Sequence, residues 1–244
     1  MPTLTLNSKS ALVTGGARRI GRAIACALAQ AGADVTITWL KSEQEAAAAV
    51  RFIEQLGSKA QAVECDVRSE SSVCNAVAAA AALNGNIDIL VNNAAIFESA
   101  PLDQITLAQW DAVFETNARG PFLVAREALP HLRTAHGRII NIGSLGGMRA
   151  WADHAHYCAS KAALHMLTQS MAKSFAPDVS VNCVAPGWIE MEGSSEAVAA
   201  RFADKTPMQR NGTASDIAEA VLYFAANAGF VTGQILTVDG GLGL

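Results

Sequence analysis

The feature that most constrains this chain is its rhythm. Short apolar runs alternate with stretches of helical periodicity almost from end to end. Strand-like runs fall at residues 11–14, 34–39, 60–65, 87–92, 137–144, 179–185 and 234–238. Helical patterns lie between them, at 20–31, onward from Ser42, at 70–83, at 107–114 with more helix to 132, and at 153–175, 196–205 and 214–226. Ser42 with Glu45, and Thr106 with Gln109, read as capping boxes. Near-continuous apolar strands are buried on both faces, unlike the alternating strands of one-sided sheets. Strand–helix–strand repetition implies right-handed crossovers. The expected fold class is therefore α/β, a seven-stranded parallel sheet doubly wound with helices on both faces. No composition break or fixed-period repeat divides it, so one domain over residues 1–244 is expected. Ligands of such sheets bind beyond the carboxyl ends of the strands, where the strand order switches.

Composition narrows the functions open to such a sheet. Of 244 residues, 51% are hydrophobic and 16% charged, which excludes a disordered chain. Twenty-two acids against 18 lysines and arginines leave a net charge of −4, the wrong sign for a nucleic-acid binder. No apolar run approaches the ~18 residues of a membrane span. Residues 1–10 lack a basic-then-apolar signal pattern. A cytoplasmic protein acting on a small molecule is expected. The five cysteines, Cys26, Cys65, Cys74, Cys158 and Cys183, form no C-x-x-C pair and suit a reducing compartment. Cys158 adjoins Tyr157 and follows His156 by two residues, but helical residues turn by about 100° each, which disfavours a thiol–imidazole pair.

The first strand runs into Thr14-Gly15-Gly16-Ala17-Arg18-Arg19-Ile20-Gly21, and a helix pattern begins at once. Glycine permits a tight turn and a close backbone approach, and the helix start offers free N–H groups to phosphate. In this position the turn reads as a Rossmann-type dinucleotide site, although it departs from G-x-G-x-x-G. Enzymes for NAD usually carry an acid about 20 residues further on. Here the second strand ends in Trp39-Leu40-Lys41-Ser42, with no acid. Arg18, Arg19, Lys41 and Ser42 suit a ribose 2′-phosphate, which an aspartate would repel. The expected cofactor is NADP(H).

Tyr157 and Lys161 stand four residues apart, on one face of a helix. The pair alone is weak evidence. Ser144, at the end of the preceding strand, strengthens it. A free phenol titrates near 10, too high for exchange near neutrality, and a neighbouring ammonium favours phenolate. On this reading Lys161 lowers the pKa of Tyr157, Tyr157 acts as general acid, and Ser144 orients the substrate oxygen. Asn117, at the end of a helical stretch, is placed to hold a water for proton resupply.

The turn at 14–21, Asn92-Asn93-Ala94-Ala95, Asn117, Ser144, Tyr157-x-x-x-Lys161, Pro186-Gly187 and Asp239-Gly240-Gly241 stand in the order of the short-chain dehydrogenases/reductases. The resemblance covers essentially the whole chain. It implies a catalytic tetrad of Asn117, Ser144, Tyr157 and Lys161, with Lys161 also holding the nicotinamide ribose. It implies that Asp66 and Val67 flank adenine, and that Asn93, Ala94 and Ala95 line the cofactor. Pro186, Gly187 and Ile189 would meet the nicotinamide. A homotetramer with Gly240-Gly241 near a subunit contact is implied too. Arg19 replaces the usual glycine and Ala95 ends a motif that usually ends in glycine. In these respects, and in Phe97, the chain resembles the pteridine reductase branch, where an aromatic sandwiches a pterin against nicotinamide. Ser144 stands where some pteridine reductases carry aspartate, and nearby motifs equally resemble 3-oxoacyl-carrier-protein reductases. Phe97 is thus a substrate platform or simple packing.

Trp151 and Trp188 are expected as apolar walls of the substrate site or as core. His154 and His156 are expected at its mouth; no third ligand accompanies them, and no metal is expected. Residues 190–196 read as a lid, Arg126 and Arg149 as surface cations, and Tyr223 as a core-facing helix residue. A non-catalytic NADPH-binding sensor is the rival of another class. A pure binder has no use for Ser144 and Tyr157 together.

Overall fold

Seven parallel strands form one sheet in the order β3-β2-β1-β4-β5-β6-β7 in the computed structural model, which describes residues 5–191, 193–227 and 229–244. The strands are β1 (Ser10–Val13), β2 (Asp34–Trp39), β3 (Ala60–Glu64), β4 (Ile89–Asn92), β5 (Arg138–Ile142), β6 (Ser180–Pro186) and β7 (Ile235–Val238). The order reverses between β1 and β4, where Ala11, Leu12 and Val13 register with Ile89, Leu90 and Val91. Parallel pairing needs crossovers, and helices supply them: α1 (Arg19–Gln30), α2 (Glu43–Gln55), α3 (Glu70–Asn84), α4 (Leu107–Phe114), α5 (Gly120–Ala135), α6 (Ala155–Phe175), α7 (Glu196–Lys205) and α8 (Ala214–Asn227).

The apolar strands divide their side chains between two cores. Ala11 and Val13 of β1, with Ile89 and Val91 of β4, face α1, α2 and α8 through Ile24, Ala49 and Ile217. Leu12 and Leu90, the residues between, face α3, α5 and α6 through Val77, Leu132 and Met171. Burial on both faces explains why the runs do not alternate. No helix among the described residues is long and apolar enough to cross a membrane.

Three local expectations differ from the structure. Thr106 and Gln109 do form a capping box on α4, but Ser42 makes no side-chain cap to α2. Its ψ of 52° departs from the extended geometry that aims a capping hydroxyl at the helix. Tyr223 is not core-facing: it is 44% exposed, because the buried stripe of α8 falls on Ile217, Val221 and Phe224. Between α4 and α5 the chain does not run on as plain α-helix but widens into a π-turn over Glu115–Arg119.

Candidate functional site

A cleft of about 550 Å³ opens at the carboxyl edge of the sheet, over the point where the strand order reverses. Its floor is the glycine turn. Gly15 adopts φ 63°, and its N–H donates to Thr38 Oγ1 at 3.2 Å. The Gly16 N–H donates to the Thr38 carbonyl at 3.0 Å. Asn93 Nδ2 donates to the carbonyls of Thr14 and Gly15 at 2.9 and 3.0 Å, which ties the turn to the end of β4. A Cβ on Gly21 would lie 2.2 Å from the Gly15 oxygen, so only glycine lets α1 start this close.

Most of the expected cofactor residues line this cleft. Gly15, Arg18, Arg19, Ile20 and Gly21 form one wall; Trp39, Lys41 and Ser42 close one end; Asp66, Val67, Asn93, Ala94, Ala95 and Phe97 continue around it. Arg18, Arg19 and Lys41 keep their charged side chains exposed, while Ser42 is buried. Arg19 holds φ 52°, a left-handed backbone that favours glycine. Arg68, unforeseen from the sequence, grips Asp66 through Nε at 2.9 Å and NH2 at 2.7 Å. That hydrogen-bonded pair holds the Asp66 carboxyl below its ordinary range. The paired motif offered no sign of it, because Arg68 reads as an ordinary surface cation. A cleft of this shape, with a glycine-floored backbone and exposed cations at one end, fits an elongated anionic ligand.

Ser144, Tyr157 and Lys161 gather beyond the ends of β5 and β6. β5 stops at Ile142, so Ser144 lies two residues past the strand. The Ser144 Oγ accepts from the Gly146 N–H at 3.0 Å, which leaves its O–H free to donate. Lys161 is 3% exposed, and its Nζ donates to the Ile142 carbonyl at 2.8 Å. Burial lowers its pKa to about 8. Burial also pushes the Tyr157 phenol up, while a hydrogen bond with Ser144 pulls it partly back. The expected depression of Tyr157 by Lys161 is therefore absent. The ammonium serves the Ile142 carbonyl, stands 5.8 Å from the centre of the Tyr157 ring, and is itself pressed toward neutrality.

Asn117 also differs from expectation. It sits in the π-turn, and both amide hydrogens are taken, by the Ile96 carbonyl at 2.9 Å and Ser160 Oγ at 3.1 Å. Its Oδ1 accepts from the Ile96 N–H at 2.8 Å. This side chain clamps the loop after β4 to α6 and has no donor left for water. Ser160, which completes the clamp, was not singled out in the sequence; a small polar residue on a buried helix face was its only signal.

Phe97 lies beside this group. Its ring stacks on His154 at 4.7 Å between centroids and meets Tyr157 edge-on at 4.8 Å. Trp151 stacks on the other side of Tyr157 at 6.2 Å. His156 turns away and is fully buried, its Nε2 4.0 Å from Glu98 Oε2. Trp188 packs edge-on against Phe202 of α7, and its indole N–H is buried without a partner among the described residues. Ile189 joins the α8-side core. Pro186 ends β6, and a Cβ on Gly187 would fall 2.6 Å from Asp239 Cβ. Gly240 and Gly241 pack in the same close way on Thr206 and Pro207 of their own chain. Of the segment read as a lid, Met191 lines the cleft and bonds Ser194, while Glu192 lies outside the described residues. Arg126 pairs with Glu70 and Arg149 with the Gly243 carbonyl, both at the surface.

Comparison with known proteins adds a family to this geometry. The family described as enoyl-(acyl carrier protein) reductase matches residues 15–243. The 3-oxoacyl-[acyl-carrier-protein] reductase FabG of Aquifex aeolicus is 37% identical, over 98% of this chain and 99% of its own. A short-chain dehydrogenase of Burkholderia cenocepacia, solved with NADP, is 40% identical with a TM-score of 0.93, over 98% of this chain and 99% of that one. A blue fluorescent protein from a metagenomic library, solved with NADPH, is 35% identical with a TM-score of 0.91, over 98% and 99%. The Aquifex relative bears the 3-oxoacyl name, not that of the pteridine branch toward which Arg19 and Phe97 pointed. With the cleft at the switch point and the serine, tyrosine and lysine beside it, the chain belongs to the short-chain dehydrogenases/reductases, a family of oxidoreductases.

Proposed function

We propose that the chain is a single-domain, NADPH-dependent reductase whose substrate is the carbonyl group of a 3-oxoacyl thioester. The observation that carries the reductase reading is the meeting of Ser144 and Tyr157 over a buried Lys161, beside a cleft built for an elongated anion. Relatives at 34–37% identity named as 3-oxoacyl reductases support the substrate class. Relatives solved with NADP and NADPH, and the exposed Arg18, Arg19 and Lys41, support the choice of dinucleotide. NADPH, when bound, supplies the hydride.

The chain's own residues do the rest. The glycine turn and the start of α1 hold the pyrophosphate. Arg18, Arg19, Lys41 and Ser42 hold the 2′-phosphate, and Asp66 and Val67 bracket the adenine. Asn93, Ala94, Ala95, Pro186, Gly187 and Ile189 border the nicotinamide end. Ser144 turns its O–H from the phenol oxygen to the substrate oxygen, and Tyr157 donates the proton that oxygen takes up. Lys161, anchored on the Ile142 carbonyl, holds the nicotinamide ribose.

Phe97 favours a second substrate. It is 59% exposed, an aromatic face beside the proton donor, and suits a planar pterin. Initial rates with NADPH decide between the two. Turnover of acetoacetyl thioester above dihydrobiopterin supports the first reading, and the reverse order the second. NADPH affinity without turnover of either, or of a broad carbonyl panel, would leave a binding protein and end the reductase reading.

A further inference from the structure

We propose that His165 is a positioning residue for Ser144, holding the main chain that carries the substrate-orienting hydroxyl. The inference rests on the assignment of Ser144 just given. The ladder between β5 and β6 ends at Gly143, whose N–H donates to the Val184 carbonyl at 2.7 Å. The next N–H, that of Ser144, has no strand beside it. It donates to His165 Nε2 instead, at a long 3.4 Å. Helix α6 makes this possible by placing His165 one turn beyond Lys161, on the same face.

The loop is moulded on the imidazole. A Cβ on Gly143 would fall 2.3 Å from His165 Nε2, and one on Gly147 would fall 2.6 Å from Cε1. The two glycines on either side of Ser144 therefore exist in contact with this ring. His165 is 5% exposed. Burial, reinforced by the neighbouring Lys161 charge, lowers its pKa to about 4, so Nε2 keeps the lone pair that the Ser144 N–H needs. The proton then sits on Nδ1, which is buried and has no partner among the described residues. An aliphatic side chain would avoid that unpaired donor. What it could not supply is the acceptor at Nε2.

A double-mutant cycle in full-length protein tests this. His165→Leu should lower kcat about tenfold and leave the NADPH Kd within about twofold, the scale expected for a mispositioned group. His165→Gln brings an oxygen to about the place of Nε2 and should recover most of the loss. His165→Asn does not reach so far and should behave like His165→Leu, which it replaces if the leucine variant fails to fold. In a Ser144→Ala background either of these two substitutions should have little further effect, because His165 acts through Ser144. Additive losses would overturn the proposal, as would a folded His165→Gln no better than His165→Asn. Tyr157→Phe, assayed alongside, separates the failures. If it still turns over, the assignment of the site falls. If it is inactive and the cycle is additive, only the role of His165 falls.

Discussion

The cleft over the glycine turn and the catalytic group beside it treat charge in opposite ways. In the cleft, Arg18, Arg19 and Lys41 keep their charged groups in water. They attract an anion without being stripped of solvent. In the catalytic group beyond it, Lys161 and Ser144 are buried and every shift in ionisation favours the neutral form. Lys161 falls to about 8, His165 to about 4, Cys183 rises to about 12, and Tyr157 rises as well. Desolvation is the largest cause of each. Binding a phosphate needs fixed charge, and moving a proton needs charge that is easily lost. One fold provides both by placing one set of groups outside its core and the other inside.

The largest effect should come in the buried group. Tyr157→Phe removes the proton donor and little volume. It should lower kcat by at least about a thousandfold and leave NADPH affinity within about threefold, as expected of a group needed mainly in the transition state. Stopped-flow binding and steady-state turnover measure the two sides. A comparable loss in both would mean that the two regions are not separable. Lys161→Met should also abolish turnover, yet raise stability at pH 7. The folded value of Lys161, about 8, lies below its ordinary 10.5, so the unfolded chain holds that proton more tightly. The penalty is complete below about pH 8, shrinks as pH rises, and is gone near 10.5. The methionine variant should thus melt about 5 °C higher at pH 7, with the gain fading toward pH 10. An unchanged melting temperature at pH 7 would show that burial of the ammonium carries no such penalty.

The two regions also differed in how much of them could be read in the sequence. The cleft is local. Thr14 to Gly21 fixes a turn and a helix start within a few residues, and Trp39 to Ser42 closes the same cleft one strand away. The seven strands were legible for the same reason, since burial on both faces writes a continuous apolar run. The catalytic group depends on long-range contacts. Tyr157 and Lys161 announce themselves by helical spacing, but the direction of the tyrosine's pKa does not. It depends on how deeply the fold buries the pair and on the Ile142 carbonyl that takes the ammonium. The Asn117 clamp needs Ile96 and Ser160, far apart in sequence. His165 acquires meaning only when α6 docks against the Gly143–Gly147 loop. Ser42 and Tyr223 failed on a smaller scale: a capping motif does not fix the backbone angle before a helix, and an aromatic residue does not choose its face.

A smaller effect, at the exposed end, bears on whether fixed charge there is a binding device. Arg19 holds φ 52°, a conformation that a side chain disfavours by about 1 kcal/mol. Glycine adopts it freely, although glycine also gives the unfolded chain more freedom, which offsets part of the gain. Arg19→Gly should therefore melt at the same temperature as the parent or up to about 3 °C higher without ligand. The guanidinium lost is one of four exposed cations lining the cleft, of which Arg68 is already paired with Asp66, so the KM for NADPH should rise about tenfold while that for NADH scarcely moves. Lys41→Ala should show the same cofactor signature without the stability gain, since its backbone is not strained. The informative result is the pairing of the two readouts for Arg19. A more stable protein that binds NADPH less well means that strain is retained at this turn for the sake of the phosphate. A more stable protein with an unchanged NADPH KM would mean that Arg19 only tolerates its place, and the charge at this end would then rest on Arg18 and Lys41.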